Sequence, residues 1–249
     1  DMKKFYGNAV RPLKTRDFYQ MAGRAGRRGM DKEGFVYCRV NQKRISQEEL
    51  KRTIYGQPEK VYSQLNNSYA TVLNLYDKHR EGISELYPLS LHYFQSDNAM
   101  QKRAINLIKS KLDILNELGY ITDHALSQKG RFASAIYGYE LILSELYEDG
   151  FLEHLDKFKL GILASAIVFE PRKIQQMTPL SGDAKFIKGS CDDLIGKLQK
   201  RELKYRIYPL SKKPYFHLSG AIEAWLKGAN FQKILTLTDT DEGEVVRYF

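Results

Sequence analysis

Ten residues near the start of the chain, QMAGRAGRRG at 20–29, hold three arginines and three glycines and no acidic residue. An arginine is always charged and presents a planar fork of donors that matches phosphate oxygens. On a helix, Arg24 and Arg27 stand three apart and point the same way. Two guanidiniums on one face suit a γ-phosphate whose charge redistributes during hydrolysis. A nucleic-acid backbone contact and a plain basic surface are the alternatives. Like charges at this spacing repel, and glycine weakens a helix, so the pattern calls for a compensating anion. A plain basic surface does not need glycine directly before both Arg24 and Arg27.

The elements that must position this stretch read as strand, loop, helix, turn, strand over residues 1–42. Thr15 offers a helix cap, with Asp17 in the first turn. FVYCRV (35–40) is β-branched and aromatic and reads as a strand. Residues 43–57 read as a basic linker that starts a helix at Ser46, where Glu49 completes a capping-box pattern. Pro58 then opens a helix to residue 79, with Val61, Leu65, Tyr69, Val72 and Tyr76 on one face. A shorter helix follows, adjusted at Pro88. Residues 98–120 form a helix with Ile105, Ile108, Leu112 and Leu115 on one face and Lys102, Arg103, Lys109 and Lys111 on the other, ended by Gly119. Short strands around a turn at Asp123 and His124 come next. Helices followed by a small hairpin is the order of a winged helix, and a plain bundle with a surface hairpin is the alternative. Residues 139–249 read as almost wholly helical, with a long loop at 171–190 and a buried helix at LGILASAIVF (160–169).

The net charge is +9, and residues 1–60 carry 15 lysines and arginines against 7 acidic residues. So local an excess points to a polyanion partner such as a nucleotide or nucleic acid. No apolar run is long enough to span a bilayer. Cys38 and Cys191 are far apart and the five histidines are scattered, so nothing has metal-ligand spacing. A reduced, intracellular protein is the default for such cysteine usage. The chain opens at Asp1, partway through a motif, and reads as a piece of a longer protein.

The string Gln20-x-x-Gly23-Arg24-x-Gly26-Arg27 resembles motif VI of the second helicase superfamily. Its surroundings, with Lys4, Phe5, Gly7, Arg11, Pro12 and Leu13, resemble the end of the second RecA-like domain in DExH-box helicases of the superkiller and exosome-associated class. Further on, Lys129, Gly130, Arg131, Glu140, Leu141, Glu145 and Leu146 resemble that class's DSHCT region. So do Trp225, Gly228, Phe231, Glu242, Gly243 and Arg247. The long arch insertion of the exosome-associated members has no counterpart after Phe94 and Gln95.

The resemblance implies a mainly α chain: a remnant of a RecA-like α/β domain (1–42), a linker and winged helix (43–137), and a DSHCT-type helical bundle (138–249). It implies that Arg24 and Arg27 are arginine fingers on the ATP γ-phosphate, that Gln20 orients the nucleotide or attacking water, and that Gly23 and Gly26 permit close approach. Arg28 is left for a structural or backbone-contacting role. ATP with Mg²⁺ would be held mainly by upstream RecA-like domains, because the sequence has no Walker A string and no DExH box. Residues 1–249 alone are therefore expected to be inactive. Lys102, Arg103, Lys129, Arg131, Lys227 and Arg247 are candidate contacts for single-stranded nucleic acid, RNA ahead of DNA, and Arg131 and Arg247 could instead be salt-bridge partners. RNA-degradation machinery is an implied partner and a membrane is not. A DNA-fork helicase of the related branch, or a winged-helix nucleic-acid-binding module without catalysis, remain the alternatives.

Overall fold

The computed structural model describes residues 2–6, 9–63, 67–172 and 175–249. They form a mainly α protein divided into two compact units, Asp1–Ser63 and Gln64–Phe249.

In the first unit, β1 (Lys3–Phe5) pairs antiparallel with β2 (Val10–Pro12), Lys3 opposite Pro12. Helix α1 (Thr15–Ala22) follows and buries Phe18 against Met2, Leu13 and Ile45. The cap expected from Thr15 is not made. Thr15 is already helical, and its Oγ1 donates to the Arg52 carbonyl at 2.8 Å. The free amides of the first turn, Thr15 N and Arg16 N, donate instead to the Glu59 carboxylate at 3.1 and 3.0 Å. A carboxylate there also meets the positive end of the helix dipole. Helix α2 (Gln47–Tyr55) starts with the expected capping box: Glu49 N donates to Ser46 Oγ at 3.1 Å and Ser46 N to Glu49 Oε2 at 3.0 Å. The expected linker thus contributes a helix packed on α1, tied further by Thr53 Oγ1 to the Leu13 carbonyl at 3.1 Å.

Residues 35–40 do not form the expected strand. A strand is stabilised by a ladder to a neighbour, and none of the described strands lies beside it. Its apolar side chains stay in solvent, Phe35 at 71% and Tyr37 at 92% exposure. Gly7 of the resembling segment lies outside the described residues.

In the second unit the helix expected over 58–79 is only α3 (Tyr69–His79), capped by Ser68, whose hydroxyl accepts from Thr71 N at 3.1 Å. Residues 58–63 are irregular, and Leu65 lies outside the described residues. Pro88 places a 3₁₀ turn between α4 (Ile83–Leu86) and α5 (Leu91–Gln95), the adjustment expected there. Helix α6 (Asn98–Glu117) is capped by Asp97, buries Ala104, Ile108, Ile114 and Leu115, and unwinds at Gly119, where φ is +75°. The hairpin β3 (Ile121–Thr122) and β4 (Ala125–Leu126) turns through Asp123 and His124, at φ +50° and +58°. Positive φ at both central residues gives the turn whose twist matches a hairpin.

Helices α7 (Gln128–Ser134), α8 (Glu140–Glu148), α9 (Lys157–Val168), α10 (Gly182–Lys204), α11 (Ser219–Leu226), α12 (Phe231–Leu235) and α13 (Glu242–Tyr248) complete the unit. The apolar run at 160–169 is buried through Ile162, Leu163 and Ala166, as expected. The loop expected over 171–190 ends earlier, because Ser181 caps α10 through Ala184 N. The core lies among α3, α6, α8, α9 and α10, around Leu73, Ile114, Tyr120, Ile162, Ile187 and Ile195.

Candidate functional site

The arginine stretch is not helical. α1 ends at Ala22, and Gly23 N closes it on the Tyr19 carbonyl at 2.8 Å. The alignment of Arg24 and Arg27 by helix periodicity is therefore corrected: both sit in an exposed loop. Gly26 holds φ +75°, a conformation glycine adopts without strain. A Cβ on Gly34 would lie 2.6 Å from the Ala25 carbonyl, so residues 25–26 and 33–34 cross backbone against backbone. At Gly26 the chain comes close to its own backbone at Gly34.

Gln20, Arg24, Arg27 and Arg28 are all exposed. Arg27 donates from its backbone N, Nε and one terminal nitrogen to the Asp31 carboxylate, at 2.7, 3.1 and 3.3 Å. Those bonds hold the Asp31 carboxyl below its usual range, the side-chain bond from Arg27 foremost. Asp31 therefore offsets part of the repulsion within the cluster and occupies the Arg27 fork. Arg24 and Arg28 make no side-chain hydrogen bond or ion pair to the described residues. Arg24 borders a groove of about 470 Å³ with apolar walls from Met2, Leu13, Phe18 and Phe35. Among the described residues no three His, Cys, Asp or Glu side chains gather as a metal site.

Of the candidate nucleic-acid contacts, Lys102, Arg103, Arg131, Lys227 and Arg247 are exposed. Arg131 donates to the Leu126 carbonyl at 2.9 Å, and Lys227 pairs with Glu223 at 2.6 Å. The Arg247 guanidinium lies 5.7 Å from the centre of the Tyr248 ring. Lys129 is different. Its side chain is only 10% exposed, pairs with Glu145 at 2.7 Å, donates to the Leu118 carbonyl at 3.2 Å and lies 4.7 Å from the Tyr120 ring centre. Every donor direction is turned inward, so Lys129 is a structural cation rather than a surface one. Lys111, expected on the basic face of α6, is also buried. It stands three residues from Ile108 and from Ile114, on the apolar stripe. Its ammonium donates to the Asn67 carbonyl. Burial lowers its pKa, opposed by the nearby carboxylates of Glu140 and Glu202.

Two buried polar clusters went unassigned in the sequence. In one, the Tyr120 hydroxyl meets Ser144 Oγ at 2.7 Å and donates to Glu145 Oε1 at 2.8 Å, beside Lys129. Gly130 is fixed by the same region, since a Cβ there would lie 2.1 Å from the Tyr120 carbonyl. In the other, Glu202 accepts from the Tyr69 hydroxyl at 2.8 Å, Ser211 N at 2.8 Å and Ser211 Oγ at 2.7 Å. Of the first, the sequence showed only that Lys129 and Glu145 both fall on positions of the DSHCT-like resemblance. The second carried only a lone acid within a basic run.

The sequence profile of the DSHCT (NUC185) domain family matches residues 123–249. The chain is similar to the ATP-dependent RNA helicase mtr4 of Schizosaccharomyces pombe, 29% identical over 208 residues, which is 80% of this chain and 18% of that protein. It is 30% identical over 118 residues to the human Superkiller complex protein 2, 47% of this chain and 10% of that protein. It is 34% identical over 100 residues to the antiviral helicase SKI2 of Saccharomyces cerevisiae, 40% of this chain and 8% of that protein. The chain spans less than a fifth of the length of each of these relatives.

Proposed function

The chain belongs to the DSHCT (NUC185) domain family, and from that premise we propose that it is the C-terminal part of an ATP-dependent RNA helicase. The observation that carries the reading is the string from Gln20 to Arg27, with Arg24 and Arg27 exposed in the loop after α1, Arg24 unpaired to the described residues and Arg27 held by Asp31. The names of the relatives, an ATP-dependent RNA helicase and an antiviral helicase among them, support it.

In this reading residues 1–42 end the second RecA-like domain. Arg24 and Arg27 reach the γ-phosphate of an ATP held, with its Mg²⁺, by upstream domains in cis. Arg27 exchanges Asp31 for phosphate as the domains close, and Gln20 orients the nucleotide or the attacking water. Upstream strands pair with residues 35–40 and cover Phe35 and Tyr37. Residues 43–137 form a linker and winged helix built on α3, α6 and the β3–β4 hairpin. Residues 138–249 wall a single-strand channel, with Lys227 and Arg247 as contacts, and the winged helix adds Lys102, Arg103 and Arg131. The setting is intracellular, alongside RNA-degradation machinery.

The test is Arg27→Ala in the longer protein. ATP turnover should fall on the order of a thousandfold or more, the contribution of an arginine finger, while RNA affinity stays within about twofold. A nucleic-acid-binding module without catalysis gives the opposite result: weakened RNA binding and no change in turnover. Residues 1–249 alone should not hydrolyse ATP.

A further inference from the structure

The C-terminal half of α10 carries charges that none of the contacts above uses. Between Lys197 and Lys213 the sequence has seven lysines and arginines and one acid, Glu202. Glu202 has no exposed surface and its carboxylate is bonded internally to Tyr69 and Ser211. It gives the surface no charge. Lys197, Lys200, Arg201 and Lys204 stand at i, i+3, i+4 and i+7, one stripe of the helix, and all four are exposed.

The acids that face the stripe answer only part of it. Glu117 of α6 takes Lys204 at 3.0 Å and Arg201 at 3.9 Å, and accepts from the Tyr205 hydroxyl at 2.6 Å. Asp193 lies one turn ahead of Lys197 on the same stripe, and Lys212 pairs with Glu170. The side chains of Lys197, Lys200, Arg206 and Lys213 have no hydrogen bond or ion pair to the described residues.

Arg206 adds an independent signal. It holds φ +56° at the end of the helix, where Arg206 N donates to the Leu203 carbonyl at 3.0 Å and Ile207 N to the Glu202 carbonyl at 2.9 Å. Glycine is the residue that takes this position without strain. An arginine stands there instead, and it is exposed.

We propose that the Lys197–Lys204 stripe, with Arg206, Tyr208 and Lys213, is a contact surface for the phosphodiester backbone of single-stranded RNA. Lys197 to Lys204 spans about 10 Å along the axis, the length of about three phosphates in a stacked strand. Tyr208, 59% exposed beside Arg206, offers a ring on which a base can stack. Lys102 and Glu117 stand fifteen residues apart on α6, about 22 Å, so this surface is not an extension of the Lys102–Arg103 pair. The proposal rests on the nucleic-acid half of the function above and not on its ATP chemistry.

The test uses the whole 249-residue chain, a fluorescein-labelled 20-nucleotide single-stranded RNA, and anisotropy titrations from 50 to 200 mM KCl. The variant is Lys197→Ala, Lys200→Ala, Arg206→Gly and Lys213→Ala together. Each lost phosphate contact should flatten the slope of log affinity against log salt by about 0.7, and binding at 50 mM KCl should fall at least tenfold. Arg206→Gly alone should raise the melting temperature while weakening binding, which separates the contact from folding. Unchanged affinity and slope in the fourfold variant, with the native chain still binding RNA, overturns this inference and leaves the proposed function standing. A native chain that binds no RNA at 50 mM KCl overturns both. A fourfold variant that keeps its RNA binding and loses only binding to anionic phospholipid vesicles overturns this inference alone.

Discussion

A lysine within a family-like motif can be a ligand contact or a strut, and Lys129 shows how burial decides. Its ammonium and the Glu145 carboxylate are 2.7 Å apart with both side chains mostly buried, and the Tyr120 hydroxyl bonds the same carboxylate oxygen. Removing one partner of such a pair leaves the other charge buried and unanswered. Lys129→Met should therefore cost about 3 kcal/mol of stability, measured by urea denaturation, with RNA affinity of the folded variant unchanged. Adding Glu145→Gln should restore part of the loss. A variant as stable as the native chain but weakened in RNA binding would return Lys129 to the contact surface. Arg27 lies at the other extreme. Its Asp31 partner is exposed, so the pair is easily exchanged for a stronger anion.

At the scale of the element, the capping of α1 shows how a distant residue can replace a local signal. Thr15 has the chemistry of a cap, but Glu59, 44 residues on, takes the first amides. The backbone bond from Arg16, ahead of the one from Thr15, lowers the Glu59 pKa below its ordinary 4.5. A carboxylate with a depressed folded pKa stabilises the fold above its unfolded pKa, and that stability is lost as pH falls through the folded value. Protection of the α1 amides against hydrogen exchange should therefore drop as the pH is lowered below 4.5. Glu59→Ala should cost about 1 kcal/mol at neutral pH, as cap removal does, and should flatten that acid response. An unchanged acid response in the variant would show that other carboxylates govern it.

What could be read in the sequence follows the same division between local and distant causes. The Ser46–Glu49 box, the Asp123–His124 turn, the adjustment at Pro88 and the end of α6 at Gly119 each depend on residues within a few positions, and each is found. The strand expected at 35–40 needed a neighbour that the described residues do not supply. Lys111 was placed by charge type on an exposed face, yet two carboxylates far along the chain receive it inside. Of the candidate site, the arginine string was legible as a string. Its conformation was not, because Gly26 and Gly34 must cross, and that contact spans the turn between them.

The whole chain joins two units with unequal means of staying folded. The first buries Met2, Leu13, Phe18 and Ile45 and leaves Phe35, Val36 and Tyr37 exposed. The second has a larger core, fed chiefly by α3, α6, α8, α9 and α10, and two buried polar clusters. A unit of about 60 residues that buries so little is marginal by itself. Heating should therefore give two transitions rather than one. The lower one should appear in amide protection over α1 and α2. Fluorescence of Trp225, the single tryptophan, sits in the second unit and should follow the upper one. Trypsin should cut first at Lys60, in the irregular exposed stretch before α3, and leave a helical fragment that still melts at the upper temperature. Coincident transitions by both probes would mean that the units unfold as one body. Separate transitions would place the arginine loop on the less stable part of the chain. Rigid placement of Arg24 and Arg27 would then depend on what covers residues 35–37 when the ATP site assembles.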